Sequence, residues 1–273
     1  MCLLLFAYRQ HPRYPLILLA NRDEFYARPA APAALWENPS IVAGRDLEAG
    51  GTWLGARAGG RIAAVTNVRE PGRPEPENAR SRGDIPTGFL AVDNTPMAFA
   101  QGLAGDRYRG FNTLLFDVRS EQAPICAGNR HTPFPMAVGV HGISNGAADA
   151  PWPKVLRGKS ALAQLVSALA EDAPPSALLV PAMDLLQDRI QPPDTSLPDT
   201  GVGLALERAL SPIFVQTPSH IFGSDRGGDY GTRASTLVVA DNTGTVHFWE
   251  QSYLNGITNG PPRHFRLPAQ HNP

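Results

Sequence analysis

The chain has 273 residues, 42% hydrophobic and 18% charged, which is enough apolar material for a substantial core and argues against a charge-rich disordered chain. With 24 basic and 25 acidic residues the formal net charge is −1, so the summed field offers no general attraction to nucleic acid or to an anionic membrane. The 26 glycines and 27 prolines follow no G-X-Y period and form no low-complexity run, so they point to many turns rather than to a collagen-like chain or a linker.

Leu3 to Tyr8 and Leu16 to Ala20 are apolar runs too short for stable helices, and the turn-like segment Gln10 to Pro15 between them makes the pair a hairpin of buried strands. Gly50 to Gly55 and Arg61 to Asn67 flank Gly59-Gly60 and read as a second hairpin extending the same sheet. From Asp84 to Leu103 the apolar spacing becomes helical, and Thr95-Pro96 supplies an N-cap and first-turn pair, giving two short helices. Strands return at Phe111 to Phe116 and Met136 to Ser144. Val155, Leu162, Leu165, Val166 and Leu169 mark a helix over Pro153 to Ala170, and Ser176 to Gln187 gives another. A proline-rich loop, Gln191 to Pro198, precedes a short helix at Leu204 to Leu210. The last strands are Ile213 to Gln216, Arg233 to Ala240, Thr245 to Trp249 and Arg263 to Leu267, with Asp241 to Gly244 turning between the middle pair. Blocks of strands and helices with antiparallel hairpins at both ends predict an α+β layered domain over 1–273, one or two antiparallel sheets covered by helices.

The apolar N-terminal run is not preceded by a basic residue and stops at Arg9, unlike a secretory signal, and no stretch reaches the roughly 20 apolar residues of a membrane span. A cytoplasmic location is expected. Cys2 and Cys126 cannot build a disulfide framework, and neither CxxC nor HExxH spacing occurs, so no protein-built metal site is expected.

Cys2 follows the initiator methionine and is small enough for Met1 to be removed, which would make it the N-terminus. One residue would then join a thiol, with an ordinary pKa of about 8.5, to an α-amine of about 7.7 to 8.0 that serves as its general base. Packing is the plain alternative, since unpaired cysteine is among the most buried residue types. Asn21-Arg22-Asp23-Glu24 sharpens the choice. Pairing of the first two strands brings this polar tetrad to the same open end as Cys2, where an arginine favours the thiolate and a carboxylate holds or orients the ammonium.

Met1-Cys2, Asn21-Arg22-Asp23-Glu24, Gly50-Gly51-Thr52-Trp53-Leu54-Gly55 and Thr66-Asn67-Val68-Arg69 together resemble the NRDE family, the transport and Golgi organization family. The likeness continues through Ser81-Arg82-Gly83, Phe111-Asn112, Gly142 to Asn145, Trp152-Pro153-Lys154 and Tyr230 to Thr236. That family is in turn similar to the N-terminal-nucleophile (Ntn) hydrolases of the choloylglycine hydrolase and penicillin V acylase branch. The resemblance implies a four-layer αββα sandwich of two antiparallel sheets. It also implies Cys2 as nucleophile, Arg22 and Asp23 beside it, Asn67 and Asn145 as substrate and oxyanion donors, and Arg233 as a late active-site arginine. In that branch the arginine and aspartate are separated by two residues, whereas here they are adjacent.

Asn21, Glu24, Trp53, Arg69 and His141 are expected to contact ligand, with Trp53 covering the site; His141 has a core position as its alternative, and Cys126 reads as core. Two functions follow. One is an amidohydrolase acting on an N-acyl amide or related acyl substrate through Cys2, which requires no cofactor. The other, which the family's association with haem trafficking and with lipid and acyl-CoA metabolism implies, is a carrier using the same cleft without turnover. Arginines would then pair with haem propionates or acyl-CoA phosphates.

Overall fold

Residues 2–37, 40–222 and 229–269 are described in a computed structural model of the chain. Strands β1 (Cys2–Tyr8) and β2 (Leu16–Phe25) form the expected hairpin, with Cys2 opposite Arg22 and Tyr8 opposite Leu16. Both are apolar almost throughout because both faces are covered. Leu3, Leu5 and Ala7 face the helices, while Leu4, Phe6 and Tyr8 enter the space between two sheets.

The remaining strands are β3 (Ala30–Trp36), β4 (Ile41–Asp46), β5 (Leu54–Arg57), β6 (Arg61–Asn67), β7 (Phe111–Asp117), β8 (Ile125–Gly128), β9 (Phe134–Pro135), β10 (Gly139–Ile143), β11 (Gln216–Thr217), β12 (Tyr230–Ala240), β13 (Val246–Leu254), β14 (Ile257–Thr258) and β15 (Arg263–Leu267). One antiparallel sheet runs β10-β1-β2-β12-β13, with β11 on β12 and with β14 and β15 on β13; the other runs β3 to β9 in chain order. Helices α1 (Asp84–Ala91) and α2 (Pro96–Gln101) cover the second sheet, whereas α3 (Pro153–Ser167) and α4 (Leu179–Leu186) cover the first; α5 (Leu204–Ala209) lies at the periphery. The layers are therefore α, β, β, α. Leu18, Val238 and Phe248 from one sheet meet Val42, Leu114 and Phe116 from the other between them.

Local sequence accounts for the helix starts and tight turns. Thr95 caps α2 by accepting the Ala98 N–H at 3.3 Å, and Pro96 occupies the first turn. Gly59 and Gly60, at φ +83° and +88°, make the β5–β6 turn in a region that Cβ-bearing residues avoid.

Several expectations change. β5 and β6 belong to the facing sheet, not to that of β1 and β2, because the hairpin pattern fixes the local pairing but not which sheet receives it. Gly50 to Trp53 is a turn leading into β5. The strand expected at Ile213 to Gln216 is instead the two residues Gln216–Thr217, since the Val215 N–H is bonded to the Thr232 hydroxyl (2.9 Å) rather than to a backbone carbonyl of β12. The expected Met136 to Ser144 strand is confined to Gly139–Ile143. The sequence pattern gives no strand at β3, β4, β8, β9 or β14. β3 is rich in alanine, contains Pro32 and shifts register between Ala31 and Ala34, so its sequence has little strand character and it sits at a sheet edge.

Candidate active site

A cleft of about 460 Å³ opens at the end of the sandwich where β1 begins. Cys2, Arg22, Asp23 and Glu24 line it, joined by Trp53 from the turn before β5 and Asn67 from the end of β6. The antiparallel register brings the first four together, and the turn and β6 arrive from the facing sheet.

Arg22 is 5% exposed, and its Nη2 lies 3.3 Å from Asp46 Oδ2 and 4.0 Å from Glu24. Its guanidinium carbon stands 4.4 Å from the Trp53 ring centroid. Burial pushes Asp46 upward, but the Arg28 guanidinium and the Ala49 N–H outweigh it and hold the carboxyl below its ordinary range. Arg22 thus stands beside a carboxylate that stays ionised. Burial raises the Cys2 thiol above its ordinary value and the Asp23 charge adds to that, while Arg22 and a backbone hydrogen bond from Asp23 act in the opposite direction. The resting sulfur is a thiol, with its thiolate-stabilising partners already in place.

Alternation along β2 sends Asp23 to the opposite face from Arg22, toward Thr232 and Lys154, and the two still line one cleft because they stand at the open end of the strand. Asp23 Oδ1 accepts a hydrogen bond from Thr232 Oγ1 (2.8 Å), and the Tyr230 hydroxyl donates to the Asp23 carbonyl (2.8 Å). Burial raises the Asp23 carboxyl, opposed by the charge of Lys154. Lys154 is itself 3% exposed, donates to the Leu210 carbonyl (3.0 Å) and is pushed down to about 8 by burial.

The other anticipated residues separate into two groups. Glu24 accepts the Phe25 N–H at 2.9 Å and lies on the cleft wall, as do Trp53 and Asn67. Asn145 stands behind that wall: its Nδ2 donates to the Asn67 carbonyl (2.8 Å), and its own carbonyl accepts the Arg69 N–H (2.7 Å). Ser144, next to it, donates to the Cys2 carbonyl at 3.4 Å. The structure does not bring Asn21, Arg69, His141 or Arg233 to the cleft. Asn21 is consumed by the fold, donating to the Leu186 and Ile213 carbonyls and accepting from Ser235. Arg69 pairs with Glu207 at 2.6 Å and stacks over Trp152. His141 lies 2.7 Å from Asp149 and packs against Phe6, and Cys126 is a core residue. Arg233 lines a neighbouring cavity and donates to the Phe25, Tyr26 and Arg28 carbonyls.

Sequence reasoning missed several residues at the site. Arg82 lines the cleft and donates to the Gly110 carbonyl, while its charge acts on Cys2. Lys154, Tyr230 and Thr232 support Asp23, and Asp46 anchors Arg22 and Arg28. Arg82, Lys154, Tyr230 and Thr232 all stand within the segments that carry the family resemblance, so a signal existed; Arg28 and Asp46 carry none. Among the described residues, no group of three His, Cys, Asp or Glu side chains is arranged to hold a metal ion.

Comparison with known proteins agrees with this architecture. The family model described as "Transport and Golgi organisation 2" matches residues 1–255. The mouse Transport and Golgi organization 2 homolog is 34% identical over 274 residues, covering 95% of each chain. The human homolog is 33% identical, covering 93% of this chain and 94% of its own, and the Drosophila melanogaster protein is 29% identical. In fold the chain is similar to the C2A mutant of the conjugated bile acid hydrolase from Clostridium perfringens. That likeness has a TM-score of 0.53 at 8% identity and covers 98% of this chain and 92% of the other, which makes the sandwich an Ntn-hydrolase fold. The chain belongs to the Transport and Golgi organisation 2 family.

Proposed function

We propose that the protein is a cysteine amidohydrolase that cleaves an N-acyl amide or related acyl substrate through Cys2. The observation that supports this reading is that Cys2, opposite Arg22 in the register of the first hairpin, lines one cleft together with Arg22 and Asp23. Removal of Met1, which lies outside the described residues, frees the α-amine. The thiol proton passes to that amine as sulfur attacks the substrate carbonyl carbon, giving a tetrahedral oxyanion. Among the described residues nothing hydrogen-bonds the Asn67 side chain, which leaves its amide N–H groups for the oxyanion, and Asn145 fixes the backbone of Asn67. Collapse breaks the C–N bond, the ammonium returns its proton to the leaving amine, and water then hydrolyses the thioester. Arg22 stabilises the thiolate, and Asp23, held by Thr232 and Tyr230, orients the ammonium.

A second reading is carriage of an anionic ligand, acyl-CoA or haem, without turnover. The arginines at the cleft, Arg28, Arg80, Arg82 and Arg109, support it by matching phosphates or carboxylates. The wall has only a few apolar residues, among them Trp53, Val65 and Ala79, so it suits a charged head group better than the face of a macrocycle.

Intact-mass spectrometry of the native protein, before and after an electrophilic N-acyl amide analogue, separates the two. Loss of Met1 with an adduct on Cys2 supports hydrolysis. Retained Met1 and no adduct, with binding in acyl-CoA calorimetry or a haem Soret titration, overturns it in favour of carriage.

A further inference from the structure

A second cavity, of about 320 Å³, shares Arg22 and Trp53 with the cleft but is otherwise built from different residues. Its position follows from an irregularity in β12. Thr232 pairs with Asp23 and Ala234 pairs with Arg22, so Arg233 is an extra residue that the ladder leaves unpaired, and its guanidinium lines this cavity. Glu250 from β13 and Arg263 from β15 complete the charged wall, and Pro32, Ala234 and Leu254 are among its apolar residues.

Two polar atoms here are buried with no hydrogen-bond partner. One is Arg22 Nη1 and the other is Glu250 Oε2, on residues 5% and 1% exposed. Glu250 Oε1 is already used, accepting the Ala33 N–H at 2.5 Å, and Arg22 Nη2 is already used on Asp46. Leaving a buried donor and a buried carboxyl oxygen unmade on two residues that line one cavity is costly, and a ligand onto which both side chains turn removes the cost. The charges define that ligand. Asp46 compensates Arg22, but among the described residues no carboxylate lies within 4.0 Å of Arg233 or Arg263. The wall therefore lacks negative charge, and Glu250 holds its proton up to about pH 7 because burial disfavours its ionised form.

The geometry points to this cavity as a binding site for a small carboxylate with an apolar body, its carboxylate between Arg22, Arg233 and Glu250 and its body against Trp53 and Leu254. Such a ligand supplies the missing negative charge, accepts from Arg22 Nη1 and receives a hydrogen bond from protonated Glu250. The site requires no turnover at Cys2, so it stands or falls separately from the hydrolase reading. Because Arg22 lines both cavities, an occupant would hold the same guanidinium that faces the thiol.

The test uses benzoate as probe and benzamide as its uncharged counterpart, titrated at pH 6.5 into the full chain labelled with 15N at tryptophan. The Trp53 indole signal is assigned from Trp53→Phe. The expected result is a saturable shift with benzoate and at least tenfold weaker binding of benzamide. Arg263→Ala, at an exposed position, and Ala31→Leu, which fills the cavity from its rim, should each weaken benzoate at least fivefold, while Arg82→Ala in the cleft leaves it unchanged. Absence of saturation, equal affinity for benzamide, or loss of binding in Arg82→Ala with none in Arg263→Ala would overturn the assignment.

Discussion

Cys2 and Arg22 stand opposite each other in the antiparallel register of β1 and β2, so the candidate nucleophile and the cation that favours its thiolate are fixed by one hairpin. Arg22 is held in turn by Asp46, which lies on the facing sheet, and by the face of Trp53. The thiol environment therefore depends on a local pairing and on the contact between the sheets.

Replacing Arg22 tests that dependence. Arg22 lowers the Cys2 pKa against the upward effect of burial, so Arg22→Met should move alkylation of Cys2 by iodoacetamide to higher pH. The rate at pH 7.5 should fall about tenfold for each unit of the displacement. Cys126 does not interfere, because burial pushes its thiol up to about 12. An unchanged pH profile, read by peptide mass spectrometry, would show that Arg22 does not act on the sulfur.

Glu250 gives a stability signature. In the folded protein its carboxyl keeps the proton to about pH 7, whereas in the unfolded chain it ionises near about 4.3. Between those values the folded state binds more protons, so this group's contribution falls as pH rises through the window. Glu250→Gln should therefore gain stability relative to the parent with rising pH, levelling off above about pH 7 at roughly 4 kcal/mol. Urea titrations at pH 5 and pH 8 check it, and an identical difference at both would contradict it.

His141 behaves in the same direction for a different reason. Its hydrogen bond to Asp149 raises its pKa against the effect of burial, and Asp149 is correspondingly depressed. The stabilisation from protonated His141 is fully present below about pH 6.5 and is lost as pH rises through the raised folded value. His141→Gln should thus cost more at pH 5.5 than at pH 8.5 in chemical denaturation. A cost independent of pH would reduce His141 to packing against Phe6.

Gly51 joins two walls of the cleft. A Cβ there would lie 2.5 Å from the Gly83 carbonyl carbon, in a segment where the Thr52 N–H donates to the Gly83 oxygen at 3.2 Å. Gly51→Ala should lower stability by about 1–3 kcal/mol, through backbone displacement, and lower the melting temperature in calorimetry. An unchanged melting temperature would mean that the two segments separate without cost.

The cleft was only partly legible in the chain. Cys2, Arg22, Asp23 and Glu24 could be brought together from sequence because the first hairpin is local and its apolar runs leave one sensible register. Arg82 and Lys154 are marked only by the family segments in which they stand, since nothing else in a single sequence tells which distant loop or helix start packs against a strand end. Asn21 and Arg69 show the converse. Both are polar residues inside the family segments, yet buried carbonyls and Glu207 consume them, a demand visible only once their neighbours are known.

By itself the sequence determined the layered α+β class, the first hairpin, the helix starts and the polar end of β2, because each rests on short-range periodicity, capping or turn chemistry. Tertiary structure alone decided that β5 and β6 join the facing sheet, that the bulge at Arg233 turns its side chain to a second cavity, and that Asp46 meets Arg22 across the layers. These outcomes come from packing between segments far apart in the chain, where burial and charge pairing, not local preference, set the position of each side chain.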